Sequence, residues 1–154
     1  MAQLRPKGVC SLGPDRHPSI DGMTRIGVAL LVRDGRALLA HRHPDRRWYP
    51  DCWGLVGGHV EPGERPEETV VRECREEVGV EIADPTPFAM AFDDPTLEVH
   101  PFVVTRWVGE PANVAPDEHD ELRWFTVDEI ARLTLADPAM LPGVRRAVHQ
   151  AAPH

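Results

Sequence analysis

Two glutamates, Glu76 and Glu77, follow Glu73 at offsets of three and four residues. In a helix these offsets place all three carboxylates on one face. Carboxylates gathered in this way repel one another, and a bound divalent cation would offset that repulsion. Oxygen ligands of this kind suit magnesium and manganese. The pattern therefore predicts a site for Mg²⁺ or Mn²⁺, while an acidic helix face in contact with solvent is the alternative.

The helix that carries these glutamates is predicted over residues 66–78. Pro66 suits the first turn of a helix, and Gly79 suits the residue just after its end. An apolar stripe lies apart from the acidic face and would pack against a core. Its members are Val70, Val71, Cys74 and Val78. The segment is thus predicted to be amphipathic, with its charged face directed toward a site.

A longer pattern surrounds this helix. Residues 58–80 read GHVEPGERPEETVVRECREEVGV, in which Gly58, Glu64 and the run RECREEVGV occur at fixed spacing. This pattern resembles the signature of the Nudix hydrolase family, and Cys74 at an aliphatic position is a mild departure from it. The preceding WGLVGG is similar to the strand that leads into the family's motif, although many members have proline where Val56 stands. The resemblance extends from about residue 23 to the end of the chain. It implies an α/β fold, an α/β/α sandwich with a mixed sheet.

The resemblance also implies a set of metal ligands. Glu76 and Glu77 correspond to the principal pair, and the carbonyl of Gly57 occupies a position that can ligate the cation. Glu73 corresponds to a residue that acts either as a further ligand or as the general base. The implied activity is cleavage of a pyrophosphate bond, which needs a positioned water and a group that accepts its proton.

Supporting roles are implied for the residues around these ligands. Glu64 resembles the family's carboxylate that orients water or metal from the loop, and it is therefore a further catalytic candidate. Arg72 is expected to orient a glutamate rather than to touch the substrate. Gly58, the first residue of the motif, is expected to shape the turn before the helix.

A second acidic segment, PDEHDE, occupies residues 116–121, just before the predicted last strand. Several Nudix members place a late glutamate from this loop at the metal or use it as the base. Glu118 is the better candidate for that role, as ligand or catalytic residue, and Glu121 is the second. For both residues, a loop charge in contact with solvent is the alternative.

Substrate-binding residues are predicted from the strands and loops around the motif. Arg42 resembles a basic residue that some members direct at phosphates, and Arg25 is a weaker candidate. Trp48 could stack on a base, or anchor its loop against the sheet instead. Asp137 lies where some members hold a side chain that reads a purine edge.

The resemblance favours a nucleoside di- or triphosphate as substrate, including an oxidised nucleotide as in MutT-like members. The alternative is ADP-ribose or another nucleotide sugar, because Pro95 lies one residue short of the spacing associated with ADP-ribose hydrolases. A regulatory domain that binds nucleotide without cleaving it is the alternative of another class. The intact set of glutamates favours an enzyme.

Length and composition limit the architecture. A chain of 154 residues with 42% hydrophobic content suits one domain with a core. Prolines and scattered glycines predict a flexible arm over residues 1–22, followed by a single domain over residues 23–154. The chain has no apolar run near the roughly 18 residues that a membrane span needs, so no membrane contact is predicted.

Charge and cysteine content limit the partners. The net charge of −8 argues against long nucleic acid, so the expected partner is a small nucleotide or another diphosphate. The chain starts without a secretory signal, and three cysteines without metal-ligand spacing favour a reduced, cytoplasmic setting. The resemblance leaves a homodimer open.

Alternation and turn signals predict the remaining elements. Strands are expected at residues 23–32, 37–41, 53–56, 97–108 and 122–127, and further helices at residues 128–133 and 139–151.

Overall fold

The computed structural model describes residues 23–45 and 51–151. Its strands are β1 (Thr24–Arg33), β2 (Arg36–Arg42), β3 (Trp53–Gly54), β4 (Val56–His59), β5 (Glu81–Ala83), β6 (Thr86–Pro87), β7 (Leu97–Val104), β8 (Arg106–Val108) and β9 (His119–Phe125). Its helices are α1 (Pro66–Val78), α2 (Val127–Ile130) and α3 (Leu141–Gln150), and a 3₁₀ turn, Pro138–Met140, leads into α3. Trp48 and the predicted arm over residues 1–22 lie outside the described residues.

Strand β1 is the centre of a mixed sheet. It runs parallel to β7, from the pair Thr24–Leu97 to the pair Leu31–Val104. It runs antiparallel to β4 and to β2, and β2 pairs in turn with β3 and β9. A separate two-stranded sheet joins β5 to β8. The predicted mixed sheet is confirmed.

The alternating side chains of β1 divide the core into two layers. Ala29 and Leu31 belong to a buried cluster with Val70 and Cys74 of α1. The intervening Leu30 belongs to a second cluster that includes residues of α2 and α3. Since successive strand residues point to opposite faces, helices cover both faces of the sheet. The predicted α/β/α sandwich is confirmed.

Helix α1 has the predicted bounds, and local contacts explain both ends. Pro66 occupies the first turn, and the backbone N–H of Arg65 donates to Glu68 Oε1 at 2.8 Å. Gly79 ends the helix in the left-handed conformation with φ 71°, a conformation in which glycine avoids the steric cost of a Cβ. Val70, Cys74 and Val78 are fully buried. These features hold the acidic face in a fixed orientation beside β4.

Two predicted strands differ from the structure. The single strand expected over residues 97–108 is divided at Thr105 into β7 and β8, which belong to different sheets. The last strand begins at His119 rather than at residue 122, and it ends at Phe125. Pairing with β2 explains the earlier start, because His119 lies opposite Arg42 across a register shift. Residues 119–121, which are polar and have a loop-like composition, therefore form part of this strand.

Cys74 is free and buried. The expectation that the thiols are reduced stays a prediction. The helices of the described residues are too short or too polar to cross a bilayer.

Candidate functional site

A cavity of about 650 Å³ opens beside α1 and β4. Its apolar lining residues are Ile26, Val28, Leu55, Phe92, Leu97, Val99 and Met140. Its lining also carries ionisable groups, among them Arg42, Arg72, Glu73, Glu77, Glu118, His119 and Asp137. A cavity lined by both apolar and charged side chains suits a ligand that has an apolar portion and a charged portion.

Two glycines of β4 bring the acidic helix close to the sheet. A Cβ at Gly58 would overlap the carboxylate of Glu73, and a Cβ at Gly57 would overlap the carbonyl oxygen of Gly27 on β1. The backbone N–H of Gly57 donates to Glu77 Oε2 at 3.1 Å. A side chain at Gly58 would push Glu73 and α1 away, whereas a side chain at Gly57 would disturb the pairing of β4 with β1. Gly58 therefore sets the distance between β4 and the Glu73 carboxylate, and Gly57 allows β4 to pair closely with β1.

Three ligand-type groups meet in the cavity, of which Glu77 and His119 are buried and Glu118 is exposed. Glu77 and His119 are 4% and 7% exposed, and His119 Nε2 lies 3.0 Å from Glu77 Oε1. One ligand atom each from Glu77, Glu118 and His119 lies within 4.8 Å of the others. The sequence predicted Glu77 and Glu118 as ligands but gave no role to His119.

The electrostatics around Glu77 and Glu73 favour the binding of a cation. Burial, followed by the charges of Glu73 and Glu118, raises the pKa of Glu77 well above the ordinary carboxyl value. Burial also raises the pKa of Glu73, although the Arg72 guanidinium opposes that shift. Buried carboxylates in mutual contact are unfavourable unless a positive charge compensates them. Two carboxylates and an imidazole are suitable donors for a divalent cation, so the residues present fit the predicted metal.

Arg72 holds the acidic groups of the loop and the helix together. Its Nε and Nη2 donate to the two carboxylate oxygens of Glu64 at 2.9 and 3.0 Å, and Nη2 also donates to the carbonyl of His59 at 3.0 Å. Its Nη1 donates to Glu73 Oε1 at 2.7 Å and to Glu76 Oε2 at 3.3 Å. A guanidinium has the planar fork that such a bidentate contact requires. These contacts hold the Arg72 guanidinium against Glu73, and its role in orienting that carboxylate stays a prediction.

Glu64 lies beneath this arginine. Its Oε1 also accepts from Thr69 Oγ1 at 2.7 Å and from the backbone N–H of Glu61 at 3.1 Å. The hydrogen bonds from Arg72, with smaller ones from Thr69 and Glu61, lower the pKa of Glu64 to about 2. With this many partners, Glu64 is an ionised anchor for Arg72. Its contacts give it a positioning function.

Three predicted site residues lie away from the buried group. The side chain of Glu76 is 56% exposed and contacts Arg72. Arg25 donates to Glu98 Oε2 at 3.0 Å, and Glu121 pairs with Arg123. Among the described residues, neither Arg25 nor Glu121 belongs to the cavity lining.

Arg42 and Asp137 do line the cavity. Arg42 is half-buried at the end of β2. Asp137 Oδ2 accepts from the backbone N–H of Asp93 at 2.8 Å, and Oδ1 accepts from that of Ala139 at 3.1 Å. Asp137 thus ties the segment that carries Phe92 to the start of the 3₁₀ turn. Its side chain shapes the wall and also faces the cavity.

His119 is the residue of this site that sequence reasoning missed. It stands between Glu118 and Asp120 in an acidic stretch, and the strand was expected to begin only at residue 122. Its burial depends on the pairing of β9 with β2. The signal that could have found it was a single histidine beside a predicted ligand.

The sequence model of the NUDIX domain matches residues 23–146. The chain belongs to the Nudix family. It resembles the crystal structure of a MutT NUDIX hydrolase from Burkholderia pseudomallei with a TM-score of 0.67 and 31% identity, over 84% of this chain and 98% of that one.

Two curated relatives show how widely the similarity extends. The chain is 36% identical over 113 residues to the NAD-capped RNA hydrolase NudC of Stutzerimonas stutzeri (strain A1501). The aligned region covers 69% of this chain and 38% of that protein. It is 34% identical over 113 residues to the isopentenyl-diphosphate Delta-isomerase of Enterobacter sp. (strain 638), with 68% and 61% covered. The chain therefore spans between about two fifths and three fifths of these two relatives.

Proposed function

We propose that this chain is a hydrolase that uses a divalent cation, Mg²⁺ or Mn²⁺, to cleave a pyrophosphate bond in a nucleoside di- or triphosphate. The observation that carries the proposal is that Glu77, Glu118 and His119 meet, with Glu73 against Glu77, in a cavity that also has apolar lining residues. Membership of the Nudix family and the likeness to a MutT NUDIX hydrolase support the same class of reaction.

Hydrolysis of a pyrophosphate forms a bond between a water oxygen and phosphorus and breaks the bond from phosphorus to the bridging oxygen. The proton of the water passes to a base, and the leaving phosphate departs as an anion. When bound, a divalent cation neutralises phosphate oxygens and lowers the pKa of a coordinated water. The residues that would hold it are Glu77 and Glu118, which lie beside His119, with Gly57, Glu73 and Glu76 as the other predicted ligands.

Glu73 is the proposed base. Its carboxylate is 13% exposed and receives a hydrogen bond from Arg72 at 2.7 Å. Burial raises the pKa of Glu73, and a raised pKa makes a carboxylate a stronger base. Glu64 holds Arg72 from the other side, so the pair fixes the direction of the Glu73 carboxylate. Glu118 is the second candidate for the base.

The apolar part of the cavity is proposed to hold the nucleoside, with Arg42 directed at the phosphates. Phe92 lies in the wall and offers an aromatic ring for a base to contact. Asp137 faces the same space, where a carboxylate oxygen can accept a hydrogen bond from a base. These features favour a nucleotide over a bare polyphosphate, because a bare polyphosphate would leave the apolar wall unused.

A second candidate reaction is isomerisation of an isoprenoid diphosphate. It is favoured by the likeness to an isopentenyl-diphosphate Delta-isomerase and by the apolar wall. Hydrolysis of ADP-ribose, a homodimer and a cytoplasmic location stay predictions.

A substrate panel tests the proposal. Nucleoside triphosphates, oxidised nucleotides, ADP-ribose, dinucleoside polyphosphates and isopentenyl diphosphate are incubated with Mg²⁺, with Mn²⁺ or with chelator. We expect phosphate or pyrophosphate release from a nucleotide that chelator abolishes and that Glu77→Gln reduces. Isomerisation without phosphate release would support the second candidate. Nucleotide binding without turnover anywhere in the panel would refute an enzymatic function.

A further inference from the structure

We propose that His119 is a direct nitrogen ligand of the cation. We infer that this ligand makes the site prefer Mn²⁺, Co²⁺ or Zn²⁺ to Mg²⁺ more strongly than carboxylates alone would. The ring is buried, and Nε2 lies 3.0 Å from Glu77 Oε1. The inference rests on the cation dependence proposed above, but it concerns the binding of the metal and can be tested without turnover.

Backbone contacts fix His119 relative to the acidic helix. The backbone N–H of Val114 donates to the carbonyl of Glu77 at 3.2 Å, near the end of α1. The side-chain amide of Asn113 donates to the carbonyl of His119 at 2.7 Å, at the start of β9. One short segment therefore joins both ligand-bearing elements. The distance between the Glu77 and His119 side chains is set by the fold, as a preorganised metal site requires.

A nitrogen donor also suits the charge balance at this position. The charges of Glu73 and Glu118 already act on Glu77, and a further carboxylate would add to that repulsion. A neutral imidazole supplies a ligand atom without another negative charge. Mg²⁺ favours oxygen ligands and gives up its water reluctantly. Imidazole is a better ligand for zinc and other transition metals, whose affinities follow the order from Mn²⁺ toward Cu²⁺.

The same geometry allows a more limited role. His119 could contact only Glu77 and orient that carboxylate, while all cation ligands are oxygens. This role would leave no nitrogen bonded to the metal. It predicts similar losses of affinity for Mg²⁺ and Mn²⁺ when His119 is replaced, because both cations would depend on Glu77 in the same way.

Pulsed EPR on the Mn²⁺-loaded wild-type chain distinguishes the two roles. We expect a nitrogen coupling of the size given by a directly bound imidazole, and a changed coupling when the histidines carry ¹⁵N. This measurement needs no variant, so it stands even where a substitution impairs folding. Bound Mn²⁺ without a directly coordinated nitrogen would overturn the inference, and so would the absence of Mn²⁺ binding.

Two asparagine variants test whether the nitrogen belongs to His119. In His119→Asn we expect the coupling to disappear and the Mn²⁺ affinity to fall by at least about tenfold, since even residues outside the first ligand set cost about 10–100-fold. The Mg²⁺ affinity should fall less. The matched control is His41→Asn, on the neighbouring strand, where His41 Nδ1 lies 2.6 Å from Asp120 Oδ1 outside the cavity lining. The control variant should retain both the nitrogen coupling and the Mn²⁺ affinity. Loss of the coupling in His41→Asn alone would assign the nitrogen to His41 and overturn the inference.

The outcomes separate this inference from the proposed function. Chelator-sensitive hydrolysis without a nitrogen coupling would leave the hydrolase standing and reject His119 as a ligand. A nitrogen coupling that depends on His119, in a chain that hydrolyses nothing in the panel, would establish the ligand and reject the hydrolase.

Discussion

Replacement of Arg72 by glutamine should destabilise the fold and change its response to pH. The substitution removes the two hydrogen bonds to Glu64 and the contacts to Glu73 and His59. Glu64 and Glu73 are only 15% and 13% exposed, so both carboxylates would lose a partner in a poorly solvated place. Breaking a buried ion pair by removing one partner costs about 3–5 kcal/mol.

The pKa of Glu64 gives a second route to the magnitude. A native-state value of about 2, against 4.5 for the free group, stabilises the fold by up to about 3 kcal/mol at neutral pH. Solvent reaches part of the pair, which lowers the expected loss in Arg72→Gln to about 2 kcal/mol. Because the pKa is lowered in the folded state, this stability is present above about pH 4.5 and is lost as the pH falls toward 2. The wild type and the variant should therefore converge in acid.

Urea unfolding at pH 7, 5 and 3 measures both effects. We expect the difference in unfolding free energy to be largest at pH 7 and smallest at pH 3. Arg75→Gln is the control, since Arg75 lies on the same helix in an exposed pair with Glu81 and should change stability less. An Arg72 variant as stable as this control, or a difference that stays constant from pH 7 to pH 3, would refute the reasoning.

Three further perturbations address the acidic groups of the cavity. Glu77→Gln should lower turnover by orders of magnitude, and a near-normal rate would contradict the role of Glu77 as a ligand. Without cation, the variant should melt at a temperature at least as high as that of the wild type, because burial raises the pKa of the carboxyl that is replaced. Gly58→Ala should lower turnover by displacing Glu73, whereas Gly54→Ala, with its nearest neighbour at 3.3 Å, should have the smaller effect; equal rates for the two variants would contradict the steric argument. The affinity for Mn²⁺, measured by titration calorimetry, should fall as the pH falls, since protons compete with the metal for the Glu77 carboxylate. An affinity that is unchanged between pH 8 and 5 would argue against Glu77 as a ligand.

Local signals explain why the helix was predicted correctly. Pro66 and Gly79 mark its two ends, and the apolar stripe with its helical period distinguishes the buried side from the acidic side. These features depend on residues close together in the chain. The same is true of the offset between Glu73 and Glu77, and both residues line the cavity.

Long-range pairing explains what the sequence did not reveal. The start of β9 at His119 depends on its pairing with β2, nearly eighty residues earlier in the chain. The contact between Asp137 and the backbone of Asp93 likewise joins distant segments. Helical offsets also could not show which edge of the acidic face would turn toward β4. Of the three glutamates on that face, Glu76 is the one whose side chain remains exposed. Spacing identifies a set of ligand-type residues, whereas tertiary contacts determine which of them meet.

The site illustrates a conflict between stability and binding. Glu77 is buried beside Glu73 and Glu118, an arrangement that raises its pKa and disfavours the charged form in the free protein. The fold nevertheless holds it in place through the N–H of Gly57 and through the backbone contact from Val114. A bound divalent cation would supply the missing positive charge, and it would stabilise the folded chain if it bound that chain more tightly than the unfolded one. The burial of Glu77 beside Glu73 and Glu118 thus disfavours the charged form in the free chain and would favour cation binding, while Arg72, which Glu64 holds, places a positive charge against Glu73.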